Sequence, residues 1–148
     1  MKKYLLTVGF CIGLLPVILV SIINGALMTE GWLTVPTPLD HSAYSLIWLF
    51  SYILTASTIG AFVIRKEIRK FVFIPLSVLL FTVLSFWAFY RLHHFLWNAV
   101  FLGLAIAAEG TTLVFLMKNT RYAFAGAMIN ILWYCYLFGI NLIVWIAS

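Results

Sequence analysis

The sequence predicts an all-α integral membrane protein: a bundle of five transmembrane helices, with the N-terminus cytoplasmic and the C-terminus outside. Three observations carry this. The chain of 148 residues is 65% apolar and only 9% charged, against about 45–50% and about 25% in an ordinary soluble domain. Its apolar residues fall into five runs, each close to the ~20 residues a helix needs to cross a bilayer. Its basic residues stand at the ends of those runs and divide unevenly between two sides. So little polar surface cannot cover a soluble globule, which excludes an ordinary cytosolic enzyme and a disordered chain.

The first run, 4–27, follows Met1-Lys2-Lys3. It is longer than the ~7–15-residue core of a signal peptide, and Asn24-Gly25-Ala26 matches a cleavage site poorly. A retained first helix is therefore expected. The second run is 43–64, the third 71–90, the fourth 95–117 and the fifth 123–147. The joints at 65–70, 91–94 and 118–121 are short and polar, which forces antiparallel neighbours. Only the first connection, 28–42, is long; it carries Glu30, Trp32, Pro36, Pro38, Asp40 and His41. No repeat or second domain is visible, so 1–148 reads as a single five-helix membrane domain.

Five spans put Lys2, Lys3, Arg65, Lys66, Arg69, Lys70, Lys118 and Arg121 on one side and only Arg91 on the other. The positive-inside rule makes the first side cytoplasmic. The net charge of +5 is thus a topology signal. No basic face accompanies stacking aromatics, so no nucleic-acid partner is expected. Pro16 and Pro75 fall within runs and predict kinks. Gly9 and Gly13 form a GxxxG pattern, with looser versions at Ala56/Gly60 and Ala99/Gly103. Such patterns favour close helix packing, within one chain or between copies. Cys11 and Cys135 lie inside apolar runs and read as buried small apolar residues rather than a redox pair.

Few residues suggest chemistry. Glu109 is the only ionisable residue well inside a span, and an intramembrane carboxylate points by default to a proton or cation site. The plainer alternative is a neutral acid bonded to a hydroxyl such as Ser57, Thr58 or Thr111. His93 and His94 close the third helix on the outer side, with His41 in the first loop and Arg91 nearby. Adjacent helical histidines point about 100° apart and do not readily share one metal. No CxxC, HExxH or CxxCH pattern is present, so no metal site is expected. No nucleophile–base constellation or phosphate loop appears either. Six Trp and seven Tyr fit an aromatic belt at Trp32, Trp97, Trp145, Tyr4, Tyr44, Tyr90 and Tyr122. Trp133 lies too deep for a belt. Trp48 and Tyr52 share a helical face, and Trp133 and Asn141 project within about 80° of each other. These four residues either line a cleft for a flat apolar ligand or pack the helices together.

The motifs resemble those of the TspO/MBR family, which includes the tryptophan-rich sensory proteins and the mitochondrial translocator protein. Trp32 followed by Pro36 and Pro38 resembles the family's first loop. Ile47-Trp48 with Tyr52 resembles the start of its second helix. Leu132-Trp133 with Ile140-Asn141 resembles its fifth. The family's Pro-Tyr before the fifth-helix Trp is Ile129-Asn130 here, and its third-helix Leu-Asn has only Leu76-Ser77 or Leu84-Ser85 as counterparts. The resemblance implies a five-helix bundle, often a homodimer, with a pocket under the first loop as a lid. It implies binding of a tetrapyrrole such as protoporphyrin IX or haem, with no required cofactor, by Trp32, Trp48, Tyr52, Trp133 and Asn141. His41, Arg91, His93 and His94 would then serve the ligand's acidic groups at the outer mouth. The expected role is a sensor, carrier or regulator in a bacterial cytoplasmic membrane, rather than a turnover enzyme. Light-dependent porphyrin breakdown, reported for some members, is the one activity the family adds. The alternatives are a proton-linked transporter centred on Glu109 and a structural membrane subunit. In the latter, Gly9→Leu and Gly13→Leu would break assembly and leave ligand binding intact.

Overall fold

A computed structural model of the chain describes residues 2–27, 41–92, 94–117 and 121–147. It is all-helical among these residues: α1 (Lys2–Leu27), α2 (His41–Ile64), α3 (Phe73–Tyr90), α4 (Phe95–Leu116) and α5 (Arg121–Ala147). All five are long and apolar enough to cross a membrane. The bounds match the five expected runs to within about two residues at each end, because helix length here follows the length of the apolar run. Each helix packs against its neighbours in the ring α1–α2–α5–α4–α3, which closes where α3 meets α1.

The closest approach is between α1 and α2. A Cβ added at Gly60 would lie 2.5 Å from the backbone carbon and oxygen of Gly9. One added at Gly13 would meet the backbone of Ala56 and Gly60. The GxxxG stripe of α1 and the AxxxG stripe of α2 therefore fit each other within one chain, with backbone against backbone. The looser pattern on α4 is not such a crossing, since a Cβ at Gly103 would only touch the Phe138 ring at 3.6 Å.

Of the three apolar core clusters, one joins α1, α2 and α3 through Val17, Val20, Ala56, Ile59 and Leu79, and two lie toward opposite ends of the bundle. One joins Trp48, Val78, Phe86, Leu102, Trp133, Tyr134 and Leu137. The other joins Ala61, Phe62, Ile68, Leu116, Ala123 and Ala127. The second brings together the C-terminal ends of α2 and α4 and the start of α5. The exposed cations Arg65, Lys66, Arg69, Lys70 and Arg121 belong to this same end. Arg91 follows α3 at the opposite end.

Several expectations change. The 65–70 joint is not merely polar: Ile68 is buried in the second cluster, and Arg69 Nε donates to Val63 O at 2.6 Å, closing α2. A short 3-10 turn, Arg69–Phe71, follows. The third helix starts at Phe73, so Pro75 sits in its first turn, where a missing N–H costs no helical hydrogen bond. Pro16 does lie inside α1. Cys11 and Cys135 are exposed rather than buried. The reason is general to this chain: its helices are apolar all round, so apolar character does not separate the inward face from the outward one. Leu15, Ile22, Leu46, Val114, Leu132 and Ile146 are likewise exposed, forming the kind of surface that lipid would cover. Trp97, Trp145 and Tyr122 are exposed near helix ends, where an aromatic belt places them.

Candidate aromatic and amide site

Trp48 of α2 is the centre of the site. Its ring is 5.6 Å from Tyr52, one turn along the same helix, and 5.1 Å edge-on from Phe86 of α3. It meets Trp133 of α5 edge-on at 5.8 Å and Tyr134 at 6.3 Å. Trp133 in turn stacks on Tyr136 at 5.7 Å. Edge-to-face and tilted pairs at these spacings suit the ring quadrupole. Tyr52 is fixed from α1, where Asn24 Nδ2 donates to its hydroxyl at 2.7 Å.

An amide chain borders the rings. Ser85 Oγ donates to Asn98 Oδ1. Asn98 Nδ2 donates to Asn141 Oδ1 at 2.6 Å, and Asn141 Nδ2 donates to Leu137 O at 2.8 Å. These bonds tie α3, α4 and α5 together at the end away from the cluster of cations. Each amide group carries two N–H donors and has used one.

Rings and amides meet at one cavity, lined by Trp48, Ser85, Phe86, Phe89, Asn98, Leu102 and Asn141. Its volume is about 40 Å³, room for water but far below the ~300–1,000 Å³ of a drug-sized ligand site. A flat aromatic ligand enters only if the rings move aside.

Of the residues expected in a pocket, Trp48, Tyr52 and Trp133 are in mutual or shared contact, and Asn141 lines the cavity beside Trp48. Trp133 and Tyr52 stand behind Trp48 rather than on the cavity wall. Trp32 and His93 lie outside the described residues. His41 opens α2, and its side chain is also outside them. Arg91 is exposed just beyond α3. His94 does not end the third helix. It caps α4, its Nδ1 accepting from Trp97 N at 3.4 Å, in a β-region backbone suited to an N-cap. No group of three or more metal-ligating side chains occurs among the described residues.

Glu109 is 1% exposed, and its Oε1 has no hydrogen-bond partner. The hydroxyls expected to serve it are turned to their own helices. Ser57 bonds Ile53 O, Thr58 bonds Leu54 O, and Thr111 bonds Ala107 O. The sequence reading missed Asn98, Ser85, Asn24, Asn130 and Tyr134. A usable signal was present. Asn98, Leu102, Ala105, Glu109, Thr112 and Leu116 follow at three- and four-residue steps and are all buried. A polar residue on the stripe that carries the lone carboxyl was the mark of an inward face.

No family model matches the chain, and comparison with curated proteins and with solved structures returns no match.

Proposed function

We propose that this chain is a multi-pass membrane protein that binds a flat aromatic ligand of the tetrapyrrole class between α2, α3, α4 and α5, acting as a receptor or carrier. One observation carries the proposal: Trp48, ringed by Tyr52, Phe86, Trp133 and Tyr134, walls the same cavity as Asn98 and Asn141. Stacking rings suit the macrocycle face, and amide donors suit a carbonyl or carboxylate at its edge. The first-loop, second-helix and fifth-helix motifs that resemble the TspO/MBR family support the ligand class. Such a ligand displaces Trp48 and opens the cavity, so binding is coupled to movement of α2 against α5. That coupling suits sensing or carriage better than turnover. The cytoplasmic membrane is the proposed location, with the cationic end of the bundle inside.

The test is a titration of the detergent-purified chain with protoporphyrin IX, read by quenching of intrinsic Trp fluorescence. Saturable quenching at a fixed stoichiometry is expected. Quenching that grows linearly with added porphyrin, without saturation, overturns the proposal.

A further inference from the structure

The turn between α2 and α3 is tied down at several points. Arg65 N donates to Ala61 O at 3.2 Å, and Ile68 N and Arg69 N both donate to Arg65 O, at 3.2 and 2.9 Å. Ile68 is 5% exposed and packs with Phe62 and Leu116 in the core cluster at this end. Arg69 Nε donates to Val63 O at 2.6 Å, which fixes its guanidinium at the end of α2. Lys70 Nζ lies 5.1 Å from the centroid of the Phe71 ring, and that ring packs on Phe115 at 4.7 Å. With Ile68 inward, Arg65, Lys66, Arg69 and Lys70 are all exposed. Arg121, opening α5, is exposed at the same end. Glu67 is the sole carboxylate of the turn. Among the described residues of this end, excess positive charge thus stands on a framework that is already ordered.

The surface beside these cations is apolar. The backbone stays in the helical region from Arg69 through Val72 into α3. Lys70, Phe73, Leu76 and Leu80 therefore follow at steps of three, three and four residues and share one side. Phe73 is 62% exposed, Leu76 36% and Leu80 55%. A positive head above an exposed apolar stripe complements a phospholipid with an acidic headgroup. Its phosphate oxygens would meet ammonium and guanidinium groups, and an acyl chain would lie along α3. A free anion has no use for the stripe, and a neutral lipid has none for the excess charge. Depth agrees with this. α3 has 18 residues, or about 27 Å of rise, against the ~30 Å of a hydrocarbon layer. A turn directly before it stands at the headgroup level of the membrane the chain would cross.

We propose that the turn from Arg65 to Lys70, with the exposed side of α3, is a binding site for an anionic phospholipid of the leaflet on that side. Because Ile68 and Arg69 hold the turn, the lipid has little left to order. The inference rests on the membrane reading of the chain and not on the aromatic ligand, so lipid binding and porphyrin binding fail separately. Each cation beside an anionic headgroup strengthens binding by up to about fivefold, and three by up to about 100-fold.

The experiment is native mass spectrometry of the full chain in detergent, titrated with dioleoylphosphatidylglycerol or with dioleoylphosphatidylcholine, the neutral lipid of the same chains. Preferential retention of phosphatidylglycerol is expected. It should weaken by about 10- to 100-fold in Arg65→Gln/Lys66→Gln/Lys70→Gln, persist in Arg91→Gln and increase in Glu67→Gln. If the triple variant does not fold, the unaltered chain decides: phosphatidylglycerol retention must fall with rising ammonium acetate while phosphatidylcholine retention does not. Equal retention of the two lipids, or no response of the phosphatidylglycerol complex to salt, overturns the proposal. So does an equal loss in Arg91→Gln, which would make net charge responsible rather than the turn. Displacement of phosphatidylglycerol by an equal concentration of inorganic phosphate also overturns it, since the site would then take a free anion.

Discussion

Replacing Gly60 by Ala tests the α1–α2 crossing and its link to the aromatic site. The new Cβ would sit 2.5 Å from the Gly9 backbone, where ordinary contact begins at 3.4 Å. The helices must part by about 0.9 Å, and both offending atoms are backbone, so no rotamer change relieves them. Overpacking of this kind costs about 1–3 kcal/mol, and the upper half of that range applies here. Gly110→Ala is the control, because a Cβ there meets nothing within 4 Å. Both changes gain the same ~1 kcal/mol of helix propensity, which cancels between them. The difference expected is about 2–3 kcal/mol, or on the order of 8 °C in Tm. Circular dichroism melts in one detergent measure it. A rigid shift of 0.9 Å also takes the 2.7 Å Asn24–Tyr52 bond to about 3.6 Å, outside hydrogen-bond range. Changes on this stripe therefore disturb the aromatic cluster, contrary to the expectation that glycine substitutions on α1 break assembly alone. Equal melts for Gly60→Ala and Gly110→Ala would refute the crossing.

Three further outcomes follow from particular contacts. Asn98→Ala removes the middle of the Ser85–Asn98–Asn141 chain and should lower stability by about 1–2 kcal/mol in the same melts, the range of interhelical hydrogen bonds and of orphaned buried groups. An unchanged Tm would mean that water replaces the amide at no cost. Ile68→Ala, in the turn after α2, should cost about 2–4 kcal/mol through the cavity it leaves, whereas Lys66→Ala beside it should change stability by less than about 0.5 kcal/mol. Cys11 and Cys135 should both react with an apolar maleimide in the folded state, counted by intact mass; reaction only after unfolding would show that they face inward.

The run lengths made the five helices and their bounds legible, because a span needs a fixed number of apolar residues. The charge asymmetry likewise made the two ends legible, and the structure gathers Arg65, Lys66, Arg69, Lys70 and Arg121 at one of them, with Arg91 at the other. The inward faces were less legible. In an amphipathic helix the apolar stripe marks the core, but here Cys11 and Leu15 look outward while Asn98, Asn130 and Glu109 look inward. The informative pattern was the spacing of polar residues. Trp48 and Tyr52 were legible as one face through helical periodicity, since Tyr52 follows Trp48 by one turn, whereas only the family resemblance set Trp133 beside them. Their contact with Phe86, and the amide chain from Ser85, depend on how α3 lies against α2 and α4. That is a tertiary fact which no local period encodes. His94 was misplaced by one element because a helix end and the next N-cap were separated by only a few residues.

The central claim is that Trp48 and the Asn98–Asn141 pair form one binding site. The measurement is a protoporphyrin IX titration, read by porphyrin absorbance, of the unaltered chain, Trp133→Phe, Asn141→Ala and Gly110→Ala. The account predicts saturable binding that weakens in Trp133→Phe and in Asn141→Ala and is unchanged in Gly110→Ala. Equal affinity in all four chains would contradict it, because porphyrin would then be held elsewhere on the apolar surface.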